Sequence, residues 1–155
     1  MSTADTLAAL GLELPPVPVP VANYVPARVH GNLVFSSGQT PTRAGELLMK
    51  GKLGRDFTVE QGQEAARLSI LNCLAALSAE LGSLDAIDSI VKLTGFVASA
   101  EGFEDQPAVI NGASLLLEQV FGERGRHARS ALGVAELPYG APVEVELIVS
   151  TKPGP

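Results

Sequence analysis

The chain contains no tryptophan, one cysteine and two histidines, and aromatic residues make up only 5% of its 155 positions. A lone cysteine, Cys73, cannot form an internal disulfide, so we expect a reducing compartment and a cytoplasmic location. Because Cys73 lies in a helical pattern, we expect a small buried side chain rather than a reactive thiol. With so few histidines and cysteines, and none at ligand spacing, the sequence predicts no metal site.

Positive charge is also scarce. Eleven Lys and Arg residues stand against 17 Asp and Glu, which gives a formal net charge of −6 at pH 7. This balance argues against a nucleic-acid partner, which typically requires a cationic face and stacking rings. No apolar run approaches the roughly 18 residues of a membrane span, and the N-terminus lacks the basic residues of a signal peptide. The glycine-rich stretches match neither the phosphate-loop nor the dinucleotide pattern, so we predict no cofactor.

Apolar residues are plentiful, at 46% of the chain. At this length they predict a single domain over residues 1–155 with one core. Residues 1–22 form an N-terminal extension, in which Leu14 to Pro20 (LPPVPVP) predict an extended, proline-rich arm. The arm either packs on its own subunit, which we favour, or docks on a partner.

Helical periodicity is strong in two stretches. The first begins at Thr58, which forms a capping box with Gln61, and ends at Gly82. The second starts near Pro107 and ends at Gly122. β-Branched and alternating patterns predict strands at Tyr24 to His30, Leu33 to Ser37, Ile87 to Ser99, Ala128 to Leu137 and Val143 to Thr151. Because each helix lies between strands, we predict an α+β fold in which two helices cover one face of a mixed sheet.

The last predicted strand has side chains to bury on both faces. Val143, Val145, Leu147 and Val149 alternate with Glu144, Glu146, Ile148 and Ser150. Since helices cover only one face, the other face is expected to associate with further copies of the sheet around a symmetry axis.

Two segments carry a family resemblance. One is Ser36 to Pro41 (SSGQTP), and the other is Gly125 to Val149, with Arg129 at a strand start, then Leu137-Pro138 and Val-Glu-Val-Glu from Val143. From about Asn23 to Val149 the chain resembles the RidA/YjgF family, also labelled endoribonuclease L-PSP. These are small proteins that deaminate reactive enamines and imines. The resemblance implies a chorismate-mutase-like fold and a homotrimer with ligand clefts between subunits.

The resemblance also implies a site for a small carboxylate-bearing substrate. Arg129 would hold the carboxylate with its planar guanidinium, and Glu144 would orient or activate the attacking water. A backbone amide near Gly38 would also meet the carboxylate, and Tyr24 would line the cleft. The implied catalytic residues are Glu144 and Arg129, and the implied substrate-binding residues are Arg129, Tyr24, Ser37, Gly38 and Asn111.

Three departures from the compact deaminases suggest a longer branch of the family. Ala131 replaces a frequent cysteine, the region from Arg43 to Phe57 is longer and more basic, and Asn111 lies about one helical turn further from Phe103. The favoured function is hydrolysis of 2-imino or enamine acids to 2-keto acids and ammonia. Non-catalytic carboxylate binding or sensing is an alternative. An endoribonuclease is a second alternative, with Arg124, Arg126, His127 and Arg129 as its local basis.

The relative placement of Glu144 and Arg129 is open at this point. If Leu137 pairs with Val143 in a hairpin, Glu144 faces Glu136 and lies on the opposite sheet face from Arg129. A bulge, another register or exchange between subunits would bring them together. His127 lies two residues before Arg129 and could be a second anion donor or an acid. For His127 we favour a solvent-facing position.

Overall fold

Three α-helices and seven strands make up the regular structure of residues 1–154, the part of the chain that this computed structural model describes. In chain order they are α1 (Thr3–Ala9), β1 (Ala27–His30), β2 (Leu33–Ser36), β3 (Thr42–Arg43), β4 (Glu46–Leu47), α2 (Val59–Leu81), β5 (Ile87–Ala98), α3 (Gln106–Phe121), β6 (Ala128–Val134) and β7 (Val143–Thr151). Short 3-10 turns cover Leu84–Ala86, Gly122–Gly125 and Pro138–Gly140. The predicted α+β class with a mixed sheet is confirmed.

The main sheet has the order β1-β2-β7-β5-β6, and β3 and β4 form a separate hairpin. β6 runs parallel to β5, whereas the other neighbouring strands are antiparallel. The last two strands therefore do not form the hairpin that was one of the arrangements considered, because β5 lies between them. The physical reason is the helical crossover α3, since a crossover of this length joins parallel strands. The chain after β6 then passes over the end of β5 to reach β7.

The core lies between the sheet and the two long helices. The side chains of Val143, Val145, Leu147 and Val149 are buried on β7, and they meet Ile70, Leu74 and Leu77 of α2. Thr58 caps α2 through the predicted capping box with Gln61, and Gly82 ends the helix in a left-handed conformation. The helical spacing predicted for α2 is confirmed, because its apolar residues form a buried stripe: Ala66, Ile70, Cys73, Leu74 and Leu77.

Cys73 lies inside this core, as predicted. Its side chain is fully enclosed, and its sulfur contacts the Ser36 hydroxyl at 3.5 Å and the Val145 carbonyl at 3.4 Å. Burial raises the pKa of the thiol to about 12. The cysteine is therefore protonated near neutral pH and packs as a small apolar residue.

The N-terminal extension begins with a helix that the sequence did not predict. Ser2 caps α1 in a capping box with Asp5, and the backbone and hydroxyl of Thr3 donate to Asp85 at 2.8 and 2.7 Å. Leu7 joins the core. The proline-rich arm that follows has no regular secondary structure. At seven residues, α1 is too short to give a clear periodic signal, and its stability comes from packing rather than from propensity.

Two strand boundaries also differ from expectation. The first strand begins at Ala27 rather than Tyr24, because Pro26 has no N–H for the ladder and Tyr24 lies in a bend before it. The strand predicted to reach Leu137 ends at Val134, ahead of the turn at Tyr139, whose φ is +59°. Within residues 1–154 the helices are too short or too polar to cross a bilayer.

The face of the sheet opposite the helices is partly apolar and open. Phe35 pairs with Ile148, and Leu132 and Glu144 both pair with Phe96 of β5. Phe35 is 39% exposed and Leu132 is 47% exposed. In agreement with the sequence pattern, this face keeps apolar area that a single chain leaves in contact with water.

Candidate functional site

A cavity of about 900 Å³ lies between the proline-rich arm, the segment after β2 and the start of β7. Four of the six implied site residues line it: Tyr24, Ser37, Gly38 and Glu144. The other two, Arg129 and Asn111, lie elsewhere. The structure thus divides the implied residues into a cavity cluster and an arginine cluster.

Hydrogen bonds to backbone groups hold the cavity cluster in place. The Ser37 hydroxyl donates to the Val25 carbonyl at 2.6 Å, and its N–H donates to the Pro26 carbonyl at 2.8 Å. Gln39 exchanges two backbone hydrogen bonds with Val145, at 2.8 and 2.9 Å. The segment after β2 therefore continues alongside β7 as an extra ladder pair.

Gly38 lies directly against the side chain of Glu144. A methyl group at Gly38 would lie 2.9 Å from Cδ and from Oε1 of the glutamate. Only a residue without Cβ leaves room for the carboxylate to rest against this stretch of backbone. The glycine therefore determines where the carboxylate can lie.

The carboxyl group of Glu144 is half-buried, and Glu146 lies on the same side of β7. Burial raises the pKa of Glu144, and the charge of Glu146 raises it further. Both effects disfavour the charged form. A carboxyl group with a raised pKa accepts and returns a proton more readily near neutral pH, which is the property that general acid–base catalysis requires.

Asn72 is a cavity residue that the sequence did not reveal. It is 1% exposed, and its Nδ2 donates to the carbonyls of Thr40 at 3.0 Å and Thr42 at 2.8 Å. These bonds use both amide hydrogens and tie α2 to the segment after β2 that lines the cavity. The available signal was a polar residue within the apolar stripe of α2.

The proline-rich arm supplies a further wall that the sequence did not assign to the site. Pro16 to Val19, Val21 and Ala22 line the cavity opposite β7. The wall is apolar, and Val17, Val19 and Val21 are 46%, 84% and 77% exposed. The arm therefore lies beside the candidate site with much of its apolar surface in contact with water.

Arg129 lies on the helix side of edge strand β6, where it pairs with Leu93 of β5. Its NH1 donates to Asn111 Oδ1 at 2.8 Å and to Ser114 Oγ at 3.2 Å, and its NH2 donates to the Pro107 carbonyl at 3.4 Å. All three acceptors belong to α3. Arg129 and Asn111 are thus brought together, with Ser114 as a partner that the sequence did not identify.

The arginine cluster and Glu144 lie on opposite faces of the sheet. Arg129 shares its face with Leu93 and Leu147, whereas Glu144 shares its face with Phe96 and Leu132. The question that the sequence left open is thus answered for a single chain, and the separation comes from the strand order and not from a hairpin. Within one chain, the implied anion anchor and the implied catalytic carboxylate do not meet.

The solvent-facing position expected for His127 is wrong. The residue is half-buried, with Nδ1 at 2.7 Å from the Gly125 carbonyl and Nε2 at 2.9 Å from Ser114 Oγ. The fold of the turn before β6 brings the ring back onto α3. His127 therefore belongs to the arginine cluster.

Several of the other basic residues have partners within the chain. Lys52 pairs with Glu136 at 2.7 Å and Arg55 with Asp56 at 2.8 Å. Arg124 donates to the Ile87 carbonyl at 2.7 Å, and Arg126 lies 3.5 Å from Glu123. Within residues 1–154, no group of three or more His, Cys, Asp or Glu side chains could hold a metal ion.

Comparison with known proteins agrees with this fold. The family model described as "YjgF/chorismate_mutase-like, putative endoribonuclease" matches residues 4–149. Protein TCP17 from Trypanosoma cruzi is 46% identical over 147 residues, which is 94% of this chain and 92% of that protein. The chain belongs to the YjgF/chorismate-mutase-like family.

Two solved structures show how the chain compares within that family. The Agrobacterium tumefaciens protein Atu1372, of unknown function, superposes with a TM-score of 0.90 at 46% identity and covers 97% of this chain and 92% of its own. Escherichia coli TdcF, solved with bound serine, gives a TM-score of 0.64 at 25% identity, covering 90% and 94%. Because the Agrobacterium match covers 97% of the chain, it includes part of the N-terminal extension, residues 1–22.

Proposed function

We propose that the protein hydrolyses small 2-imino or enamine acids to 2-keto acids and ammonia. The observation that carries the proposal is the half-buried carboxyl group of Glu144, whose pKa is raised, in a cavity large enough for a small substrate. Tyr24, Ser37 and Gly38 lie around the same cavity. We further propose that this reaction takes place in the cytoplasm.

The proposed reaction needs one group that both takes and gives a proton. An enamine first moves a proton from nitrogen to carbon and becomes the imine. Water then adds its oxygen to the carbon of the C=N bond and gives one proton to Glu144, which returns it to the nitrogen. The new hydroxyl loses its proton, again through Glu144, to the nitrogen as the C–N bond breaks, so ammonia leaves and a C=O bond remains. A carboxyl group with a raised pKa suits both steps better than an ordinary surface glutamate.

Arg129 supplies the anion anchor in this proposal. Its NH1 hydrogens are used by Asn111 and Ser114, which leaves the N–H on Nε and an N–H on NH2 for an incoming carboxylate. A guanidinium that binds a carboxylate through two N–H groups fixes its orientation as well as its position. The reacting carbon would then lie at a defined place relative to Glu144.

Because Arg129 and Glu144 lie on opposite faces within one chain, the complete site requires two chains. We propose a homotrimer in which the arginine cluster of one subunit meets the cavity cluster of the next. Edge strand β6 carries Arg129 to the border of the sheet, and the open apolar face with Phe35 and Leu132 gives the subunits area to bury. The serine bound to TdcF, an amino acid with a free carboxylate, is consistent with a small ligand of this class.

Two substitutions test the assignment. We expect Arg129→Lys to reduce the hydrolysis of 2-imino acids by roughly ten- to hundredfold, because lysine keeps the charge and loses the paired N–H geometry. We expect Glu144→Gln to abolish turnover while 2-keto acid binding persists. The measurement is a coupled assay in which an amino-acid oxidase generates the imine. Unchanged hydrolysis in Arg129→Lys would remove Arg129 as the anchor.

The same variants separate the carboxylate-sensing alternative, which needs Arg129 but not Glu144. A protein that binds 2-keto acids through Arg129 and has no imine turnover of its own would support sensing.

The endoribonuclease alternative draws on the family description. Against it, Arg124 and Arg126 are engaged within the chain and the net charge is −6. We expect weak, non-specific RNA binding, and sub-micromolar affinity at physiological salt would contradict this.

A further inference from the structure

We propose that His127 and Ser114 are positioning residues that hold the Arg129 guanidinium for the substrate carboxylate. The inference rests on the proposed function, because it concerns the anchor of that site. Neither residue is expected to touch the reacting atoms. Their effect is on the orientation of Arg129.

Hydrogen-bond polarity orders the contacts into a chain. His127 Nδ1 lies 2.7 Å from a carbonyl oxygen, so this nitrogen carries the hydrogen. In the neutral ring, Nε2 is then an acceptor, and the Ser114 hydroxyl 2.9 Å away donates to it. With its hydrogen directed to His127, the Ser114 oxygen presents lone pairs to Arg129 NH1 at 3.2 Å.

Ser114 and Asn111 act as a pair on α3. They are three residues apart, so they occupy neighbouring positions on one face of the helix. Asn111 Oδ1 and Ser114 Oγ accept from the same nitrogen of Arg129, at 2.8 and 3.2 Å. With both NH1 hydrogens engaged, the guanidinium plane is fixed and its other side is left for the ligand.

Two glycines allow close backbone packing around the contacts of His127, Ser114 and Asn111. A methyl group at Gly125 would overlap the Leu117 carbonyl of α3, and one at Gly112 would overlap the Gln63 carbonyl of α2. The close approach at Gly125 fixes the carbonyl that orients His127. The close approach at Gly112 fixes α3 next to Asn111. Rigid support of this kind is what gives a positioning residue its effect.

Two histidine variants can separate the two ring nitrogens. His127→Gln places an amide oxygen near the position of Nε2 and can still accept from Ser114. His127→Asn keeps a donor near the position of Nδ1 for the Gly125 carbonyl and loses the acceptor. We expect His127→Asn and Ser114→Ala to weaken carboxylate binding, and His127→Gln to retain most of it.

The readout is the affinity for pyruvate, the smallest 2-keto acid, compared with its neutral methyl ester, both measured by calorimetry. We expect His127→Asn and Ser114→Ala to weaken pyruvate binding about five- to tenfold, the size of one ordinary lost hydrogen bond, and to leave the ester within twofold. His127→Gln should stay within twofold of the parent for both ligands. In the coupled assay the first two variants should raise KM more than they lower kcat.

If His127→Asn and Ser114→Ala weaken pyruvate and ester binding equally, the defect is structural and the proposal is overturned. Pyruvate binding that is unchanged in both variants would overturn it as well. Arg129→Lys distinguishes this failure from failure of the proposed function. If Arg129→Lys binds pyruvate as the parent does, the anchor itself is wrong and both ideas fail. If Arg129→Lys loses pyruvate and His127→Asn does not, only the positioning role is wrong. If the parent protein shows no imine turnover, the comparison of pyruvate with its ester still decides whether His127 and Ser114 position Arg129.

Discussion

At the scale of single residues, Gly38 and Glu144 are coupled by contact. Gly38→Ala would place a methyl group 2.9 Å from the glutamate carboxyl, and the flexible end of that side chain can move aside. We therefore expect the variant to fold with near-parental stability and to lose activity, by as much as a hundredfold if the carboxylate shifts by about 1 Å. The assay is imine hydrolysis together with thermal unfolding.

A matched control for this variant is Gly31→Ala, which lies in the β1–β2 turn, away from the cavity. At that glycine a methyl group would meet nothing within 4 Å, but its φ is +61°. We expect Gly31→Ala to lose some stability and keep its activity, the reverse of Gly38→Ala. If Gly38→Ala retained full activity, the carboxylate position set by this contact would not matter for the reaction.

The raised pKa of Glu144 makes a second prediction at this scale. A carboxyl group that binds its proton more tightly when folded stabilises the fold most at low pH. That stabilisation is lost as pH rises from the unfolded pKa through the folded one. Glu144→Gln removes the titrating group, so we expect its melting temperature to rise relative to that of the parent as the pH rises above about 4.

The exposed Glu101→Gln controls for the loss of one negative charge. Its melting temperature should follow that of the parent across the same range. A Glu144→Gln curve parallel to the parental curve would show that burial does not penalise the charged form.

At the scale of secondary structure, α1 ties the N-terminal extension to the core. Leu7 is 4% exposed and Leu10, at the end of the same helix, is 41% exposed. We expect Leu7→Ala to lower the free energy of unfolding by about 2 to 5 kcal/mol, because it leaves a cavity in packed surroundings. Leu10→Ala should cost less than about 1 kcal/mol. Urea unfolding at one fixed protein concentration compares them, and equal costs would mean that α1 is not docked as described.

Local signals in the sequence predicted the elements better than their arrangement. The capping box at Thr58 and the apolar stripe of α2 are set by neighbouring residues, and both were found correctly. The parallel pairing of β6 with β5 depends on how α3 packs across the sheet, which no local pattern records. The same limit applies to Ser114 and Asn72, whose partners lie 13 or more residues away along the chain. His127 was misjudged because its burial is created by that packing.

At the scale of the whole molecule, the open face of the sheet predicts self-association. We expect sedimentation equilibrium at micromolar concentration to give three times the 16.0 kDa mass of the chain. Leu132→Glu should shift the protein towards smaller species, because it places a charge on this face. Leu10→Glu, at the exposed end of α1, is the matched control and should leave the mass unchanged. A monomer for the parent protein would rule out a site shared between subunits.

The position of β7 in the sheet has a consequence for how the protein is made. It is the last described strand along the chain, yet it lies between β2 and β5. Until β7 emerges during synthesis, the β1–β2 hairpin and the β5–α3–β6 unit have no strand to join them, and their apolar faces remain open to water and to other chains. Since β7 also carries Glu144 and Glu146, a nascent chain acquires these carboxylates only in the step that closes its core. No shorter intermediate of translation can be active in the proposed reaction.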